Sequence, residues 1–133
     1  REYALQMLYQ YDISQQSSGL FDGFWSDKVV QDDIREFANI LVDGVIKNLS
    51  MIDEKIRLSA SHWSVDRMAV VDRNILRMAI FELLYIRDIP AKVTINEAIE
   101  IAKRYGVEES GSFVNGILDR VVKDHQEIIA DKL

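Results

Sequence analysis

Polar side chains that could do chemistry are concentrated in one apolar stretch of the chain, from Ser64 to Arg87. Apolar residues occur on nearly every side of this stretch, which predicts a central helix surrounded by other helices. Its polar residues therefore stand out, and they are Asp72, Arg73, Asn74, Arg77 and Glu82. Arg73 and Arg77 lie four residues apart on one face, a like-charge spacing that destabilises a helix unless an anion lies over it. That anion could be a carboxylate of this chain or a phosphate of another molecule.

The two carboxylates of the stretch have different expected roles. Glu82 lies among apolar residues, so it should find a cationic or hydrogen-bonding partner inside the fold. Asp72 could be a structural carboxylate or a contact in an interface.

Catalytic and metal-binding patterns are missing from the sequence. The two histidines, His62 and His125, have no second ligand at a spacing that makes a metal site, and the chain contains no cysteine. The glycine motifs that bind nucleotide phosphates are absent as well. A serine nucleophile would need a placed histidine, which nothing in the sequence provides. We therefore expect neither an enzyme nor a protein with a metal or a cofactor.

Two surfaces carry the side chains with which proteins bind single-stranded RNA. The first, on the opening helix, combines Arg1 for phosphate, Gln6 for base edges and Tyr9 for stacking. The second is the first turn of the last helix, where Phe113 could stack on a base while Asn115 reads it and free N–H groups bind phosphate. From spacing alone, a solvated helix face and a Phe113 packed on a neighbouring helix are the favoured interpretations.

The amino-acid composition is typical of a globular protein. Of its 133 residues, 48% are hydrophobic and 29% are charged, and we expect one domain over residues 1–133. No run approaches the roughly 20 apolar residues that cross a bilayer. A net charge of −6 argues against purely charge-driven nucleic-acid binding, although a local basic patch remains compatible with it. The lack of cysteine fits a cytoplasmic protein. The chain opens on Arg1 within a helical pattern, so we expect further residues, and any basic arm, upstream.

Apolar spacing and capping residues predict an all-α fold, a compact bundle of about six or seven helices, with no strand pattern. Helices are expected over residues 3–13 and 32–46, with a less regular segment at 14–31 that includes a short helix. Ser50 and Ser64 are expected to cap the next two helices, the second of which ends before Pro90.

Two more helices are expected after the proline. Thr94 and Glu97 form a capping box that should open the first of them, which Gly106 should end. Ser110 or Ser112 should cap the last helix, in which Gly116 should let a neighbouring helix approach closely.

Four sequence blocks together resemble the NusB family of bacterial transcription antitermination factors. They are REYALQMLY (1–9), DRNILRMAIFEL (72–83), IPAKVTINEAIEIAKRYG (89–106) and FVNGILD (113–119). The resemblance implies an all-helical fold of two packed sub-bundles that forms one RNA-binding domain. It also implies binding of the boxA element of ribosomal RNA leader transcripts, jointly with a small-subunit ribosomal protein, NusE. That complex would help RNA polymerase to read through terminators.

The resemblance also implies roles for particular residues. Those expected near RNA are Arg1, Gln6, Arg77, Phe113 and Asn115, with internal neutralisation of a carboxylate as the alternative for Arg77. Tyr9 and Asp72 match positions that face the ribosomal protein.

Two alternatives remain beside antitermination. Some ribosomal RNA cytosine methyltransferases carry a NusB-like N-terminal domain, and a helical protein-interaction module without an RNA role would have a similar sequence. The family also includes homodimers, so a homodimer stands beside the monomer as an expectation.

Overall fold

Helices are the only regular elements in the computed structural model, which describes residues 1–133. The eight α-helices are α1 (Glu2–Ser14), α2 (Leu20–Trp25), α3 (Asp32–Lys47), α4 (Leu49–Ser59), α5 (Val70–Tyr85), α6 (Ala91–Tyr105), α7 (Ser110–Asp124) and α8 (Gln126–Ile129). Single turns of 3-10 helix span Val65–Arg67 and Ala130–Lys132. The all-α prediction is confirmed, and the helix count is close to the six or seven expected. None of the helices combines the length and the apolar composition that crossing a bilayer requires.

Helix α5 lies between two groups of helices. One group is formed by α1, α2 and α3, and the other by α4, α6, α7 and α8, and members of both contact α5. Every residue of α5 from Asn74 to Leu83 is buried, which is the burial expected of a helix that is apolar almost all round. The two predicted sub-bundles are therefore present, and the apolar circumference of α5 joins them.

The predicted start of the central helix at Ser64 is wrong, because α5 begins at Val70. Between them lie the 3-10 turn and two extended residues, Met68 and Ala69. The guanidinium of Arg73 folds back over this segment and donates hydrogen bonds to the carbonyl oxygens of Val65 and Asp66, at 3.4 and 3.3 Å. In a continuous helix those two carbonyls would accept from N–H groups four residues later.

The predicted capping box is also wrong. Helix α6 begins at Ala91, directly after Pro90, so Thr94 and Glu97 lie inside it. Thr94 is buried and its hydroxyl donates to Glu82 at 2.8 Å, and Glu97 forms a 3.5 Å ion pair with Arg1. Both side chains therefore bind groups outside α6 instead of the helix's own first turn. The predicted end of this helix at Gly106 is confirmed.

Close helix contact through glycine occurs at a different position from the predicted one. A Cβ atom on Gly116 would meet no atom within 4 Å, so this glycine does not mediate a close approach. On α3, in contrast, a Cβ atom on Gly44 would overlap the ring of Phe81. Glycine at position 44 therefore lets α3 pack directly on the aromatic ring of α5.

Replacing these two glycines should change stability in opposite directions. Gly44→Ala should destabilise the fold by about 1–3 kcal/mol because the buried Phe81 ring must move. Gly116→Ala should stabilise it by about 0.5–1 kcal/mol, since the added methyl group enters open space and alanine favours a helix. Urea unfolding of both variants measures the difference, and equal effects would contradict this packing.

Candidate nucleic-acid and protein interface

Asp12, at the C-terminal end of α1, accepts hydrogen bonds from three side chains of α5. Its carboxylate lies 2.7 Å from both Nε and Nη2 of Arg73, 2.9 Å from the amide nitrogen of Asn74 and 3.0 Å from Nη1 of Arg77. The Asp12 side chain is 6% exposed. The anion over the paired arginines is therefore a carboxylate of the chain itself.

Arg77 has its remaining donors occupied as well. Its Nε and Nη2 atoms donate to the two carboxylate oxygens of Asp53 on α4, at 2.8 and 2.9 Å, and Nη1 also donates to Asn74. The residue is buried. This geometry corrects the assignment of Arg77 to an RNA surface and favours the alternative, neutralisation of internal carboxylates.

The pKa of the Asp12 carboxyl is lowered by its hydrogen-bond and charge partners. Burial alone would raise the pKa, but hydrogen bonds from Arg73 and Asn74 and the charge of Arg77 hold it below the ordinary aspartate range. The hydrogen bonds to Asp12 likewise raise the pKa of Arg73. The lowered pKa of Asp12 and the raised pKa of Arg73 both favour the charged forms of this pair near neutral pH.

Removing the shared carboxylate should destabilise the fold strongly. Asp12→Ala leaves the buried guanidinium of Arg77 and the partly buried guanidinium of Arg73 without this anion, and we expect a loss of about 3–5 kcal/mol in the free energy of unfolding. The matched control is Asp43→Ala, which removes the exposed ion pair with Lys47 on α3 and should cost less than about 1 kcal/mol. Denaturant titration of both variants provides the comparison, and similar losses would contradict a structural role for Asp12.

The depressed pKa of Asp12 also predicts a pH dependence. Because the carboxyl binds its proton less readily in the folded state than in the unfolded state, its stabilising effect is present above the ordinary aspartate pKa of about 4. The effect is lost as the pH falls through the lower folded-state value. Asp12→Asn should therefore flatten the decline in unfolding free energy in acid, as measured by urea titrations between neutral pH and about pH 3.

Arg1 points into the fold rather than along the outer surface of α1. Its guanidinium forms a bidentate ion pair with Glu82 on α5, with Nε donating to Oε2 at 3.0 Å, and it lies over the ring of Phe37. Glu82 also accepts from Thr94, so the expectation that Glu82 has internal partners is confirmed. The predicted grouping of Arg1 with Gln6 and Tyr9 on one surface is therefore not formed, and RNA contact by Arg1 would require breaking this pair.

Gln6 and Tyr9 do lie together. They line a hollow of about 320 Å³ whose other walls include Val71 of α5 and Tyr105 of α6. Both α1 side chains are exposed. An amide beside an accessible tyrosine ring is suited to a polar ligand that also offers a flat or apolar surface.

Phe113 and Asn115 face different neighbours across α7. The Phe113 ring packs edge-to-face on Trp63, with ring centroids 5.9 Å apart, on the side of α5. Asn115 lies in a groove between α6 and α7, which Lys92 and Asn96 of α6 also line. The expectation that Phe113 and Asn115 act on one base is wrong, because residues two apart on a helix point in nearly opposite directions.

Asp72 lines the same hollow as Phe113. The hollow has a volume of about 350 Å³, and Trp63, Met68 and Glu109 contribute to its walls. Asp72 is 8% exposed, and its buried Oδ1 atom has no hydrogen-bond partner. The sequence assigned Asp72 and Phe113 to different ligands, and the structure brings them together.

Three side chains of these surfaces were missed from the sequence, namely Trp63, Lys92 and Asn96. Trp63 offered a signal, because an aromatic ring within the polar segment 59–66 is unusual unless it packs on something. Lys92 and Asn96 offered none, since exposed polar residues are common on the outer faces of the surrounding helices.

The sequence and the fold are similar to those of known proteins. A family model described as the NusB family matches residues 1–123. The transcription antitermination protein NusB of Thermodesulfovibrio yellowstonii is 42% identical over 135 residues, an alignment that covers 93% of this chain and 89% of that protein.

Two solved structures extend the similarity to three dimensions. NusB of T. maritima has a TM-score of 0.84 and 45% sequence identity, covering 92% of this chain and 87% of that one. A chain from a crystal structure of the antitermination factors NusB and NusE in complex with double-stranded RNA has a TM-score of 0.82 and 30% identity, covering 92% of both chains.

Proposed function

The chain belongs to the NusB family, and we propose that it is a transcription antitermination factor that binds boxA RNA together with the ribosomal protein NusE. In this role the ternary complex joins the antitermination complex of RNA polymerase in the cytoplasm and promotes read-through of terminators. The observation that carries the proposal is the similarity of nearly the whole chain to a structure in which NusB, NusE and RNA occur together.

The RNA surface that we propose includes Gln6 on α1 and the groove at Asn115. In that groove the amides of Asn96 and Asn115 can read base edges, and Lys92 can bind a phosphate. Lys92 forms no ion pair with a carboxylate of the chain, and Asp119 in the same groove is paired with Lys123 at 3.2 Å. The groove therefore keeps a free cation although the chain as a whole is acidic.

The protein surface that we propose includes Tyr9 on α1 and Asp72 at the first turn of α5. Tyr9 shares its hollow with Gln6, so a protein bound at Tyr9 would lie beside an RNA bound at Gln6. Adjacent sites on one helix allow NusE and RNA to contact each other, which is a physical basis for joint binding.

Titration of boxA RNA into the chain, with and without NusE, tests the proposed function. We expect specific binding over an RNA of the same composition in scrambled order, and a higher affinity when NusE is present. Reciprocity requires the RNA to raise the affinity for NusE by the same factor. Binding of NusE with no preference for boxA RNA would instead support the protein-interaction module.

Asn115→Ala should weaken boxA RNA binding by about 1–3 kcal/mol, the range for losing a good amide contact to a base edge. Gln126→Ala, which truncates an exposed amide on α8 outside this groove, is the control and should leave the affinity unchanged. Filter binding or fluorescence anisotropy measures both. An unchanged affinity for Asn115→Ala, with helical content intact, would place the RNA elsewhere.

A further inference from the structure

We propose that Leu133, held in place by Lys132, completes the groove at Asn115 by giving it an apolar side on which one base of the RNA packs. This inference rests on the proposed function, because it deepens the RNA surface that we assign to that groove. It adds one residue that contacts the base and one residue that positions this contact.

The groove at Asn115 combines polar groups with an apolar side. Its polar groups include Lys92, Asn96 and Asn115, and the apolar residues that line it are Ala91, Ile95, Val122 and Leu133. Its volume is about 290 Å³, which suits one flat base better than a run of stacked bases. A base has apolar faces and a polar edge, so a site that holds it needs both kinds of group.

Leu133 is the apolar residue of the groove that is most available to a ligand. Ala91 is buried, Ile95 and Val122 are partly buried, and Leu133 is 66% exposed. An exposed leucine on its own needs no explanation. This leucine, however, shares a groove with the amide of Asn115, so it can cover the face of a base whose edge the amide reads.

The groups of the groove correspond to the three parts of a nucleotide. Lys92 forms no ion pair within the chain and can bind a phosphate. The amides of Asn96 and Asn115 can bind the polar edge of a base. Leu133 supplies the apolar contact with the face of the base, a contact that bases held in protein pockets commonly make.

Lys132 fixes the backbone next to Leu133. Lys132 is 5% exposed, and its Nζ atom donates to the carbonyl oxygens of Glu82 and Leu83, at 2.8 and 3.2 Å. These carbonyl groups belong to the last turn of α5, where a helix leaves acceptors free and favours a positive charge. The ammonium group therefore ties the 3-10 turn Ala130–Lys132 to the end of α5, and Leu133 extends from that point to the groove.

Two further contacts hold the same segment. Ile129 is fully buried, and Arg87, in the connection between α5 and α6, donates to the carbonyl oxygen of Ile128 at 3.0 Å and pairs with Asp131 at 3.1 Å. The side chain of Lys132 points into the fold and is covered there. Its part in RNA binding is therefore to position Leu133, not to bind a phosphate.

Replacing Leu133 tests the contact with the base. Leu133→Asn exchanges the apolar side chain for a polar one of similar size, and Leu58→Asn is the matched control, because Leu58 is an exposed leucine on α4 outside the groove. We expect Leu133→Asn to weaken boxA RNA binding about fivefold or more, with Leu58→Asn within about twofold of wild type. The affinity for NusE should be the same in both variants. Unchanged RNA affinity for Leu133→Asn would overturn the proposal.

Replacing Lys132 tests the positioning role. Lys132→Met removes the ammonium group and keeps the length of the side chain, and it should weaken boxA RNA binding about as much as Leu133→Asn. The double variant should bind within about twofold of Lys132→Met, since both changes remove the same contact. The dependence of the RNA affinity on salt should be unchanged, because Lys132 binds no phosphate.

Other outcomes would contradict this role for Lys132. Losses that add up in the double variant, or a slope against salt that falls by about one, would show that Lys132 acts on the RNA independently of Leu133. An equal loss of affinity for NusE would show a general loss of structure. If Lys132→Met does not fold, Leu133→Asn still decides the proposal, because it changes an exposed side chain.

A mononucleotide tests the groove without boxA RNA or NusE. At constant ionic strength, adenosine 5′-monophosphate should shift the nuclear magnetic resonance signals of the Leu133 methyl groups and of the Asn115 side-chain amide in a saturable way. Ribose 5-phosphate, which lacks the base, should leave the methyl signals in place. Equal responses to the two compounds, or an Asn115 response that is unchanged in Leu133→Asn, would overturn the inference. The predicted response from a chain that does not bind boxA RNA would support the groove and contradict the proposed function.

Discussion

The ion pairs between Asp12 and the arginines of α5 are the constraint on which the rest of the structure depends. Arg73 and Arg77 lie four residues apart on a largely buried face, an arrangement that is unfavourable unless an anion lies over it. Asp12 supplies that anion from the end of α1 and so sets where α1 lies against α5. The same Arg73 binds the carbonyl groups ahead of α5, which holds the segment that leads from Trp63 into the helix.

This constraint divides the polar residues of α5 into two sets. Arg73, Arg77 and Glu82 bind groups of the chain itself, so their charges are used inside the fold. Asp72 lies on the rim and keeps an acceptor free. The surfaces that we propose for recognition therefore lie at the edges of the bundle, where α1 and α7 present their side chains beside α5 and α6. A net negative charge is compatible with the proposed RNA binding, since a few local groups are sufficient.

The sequence predicted what depends on local spacing. The amphipathic helices α1 and α3 lie within two residues of their expected bounds, and the junction at Pro90 lies where proline requires it. Predictions failed where a side chain binds a residue far away in sequence instead of a neighbouring one. Thr94 was predicted to cap a helix, for example, but its hydroxyl donates to Glu82. Local sequence spacing could not predict the ion pair between Arg1 and Glu82, which are 81 positions apart. It could not predict the contact between the rings of Trp63 and Phe113 either.

Both arginines of α5 bind carboxylates of the chain, and we propose that RNA is bound at other surfaces. Nuclear magnetic resonance of the arginine Nε–H groups tests this division, because Arg73 and Arg77 both donate through Nε to a carboxylate. We predict that their signals exchange slowly with water and keep their positions when boxA RNA saturates the chain, while the amide signals of Gln6 and Asn115 shift. A shift of the Arg77 Nε–H signal on adding RNA, with the side-chain amide of Asn115 unmoved, would contradict the account.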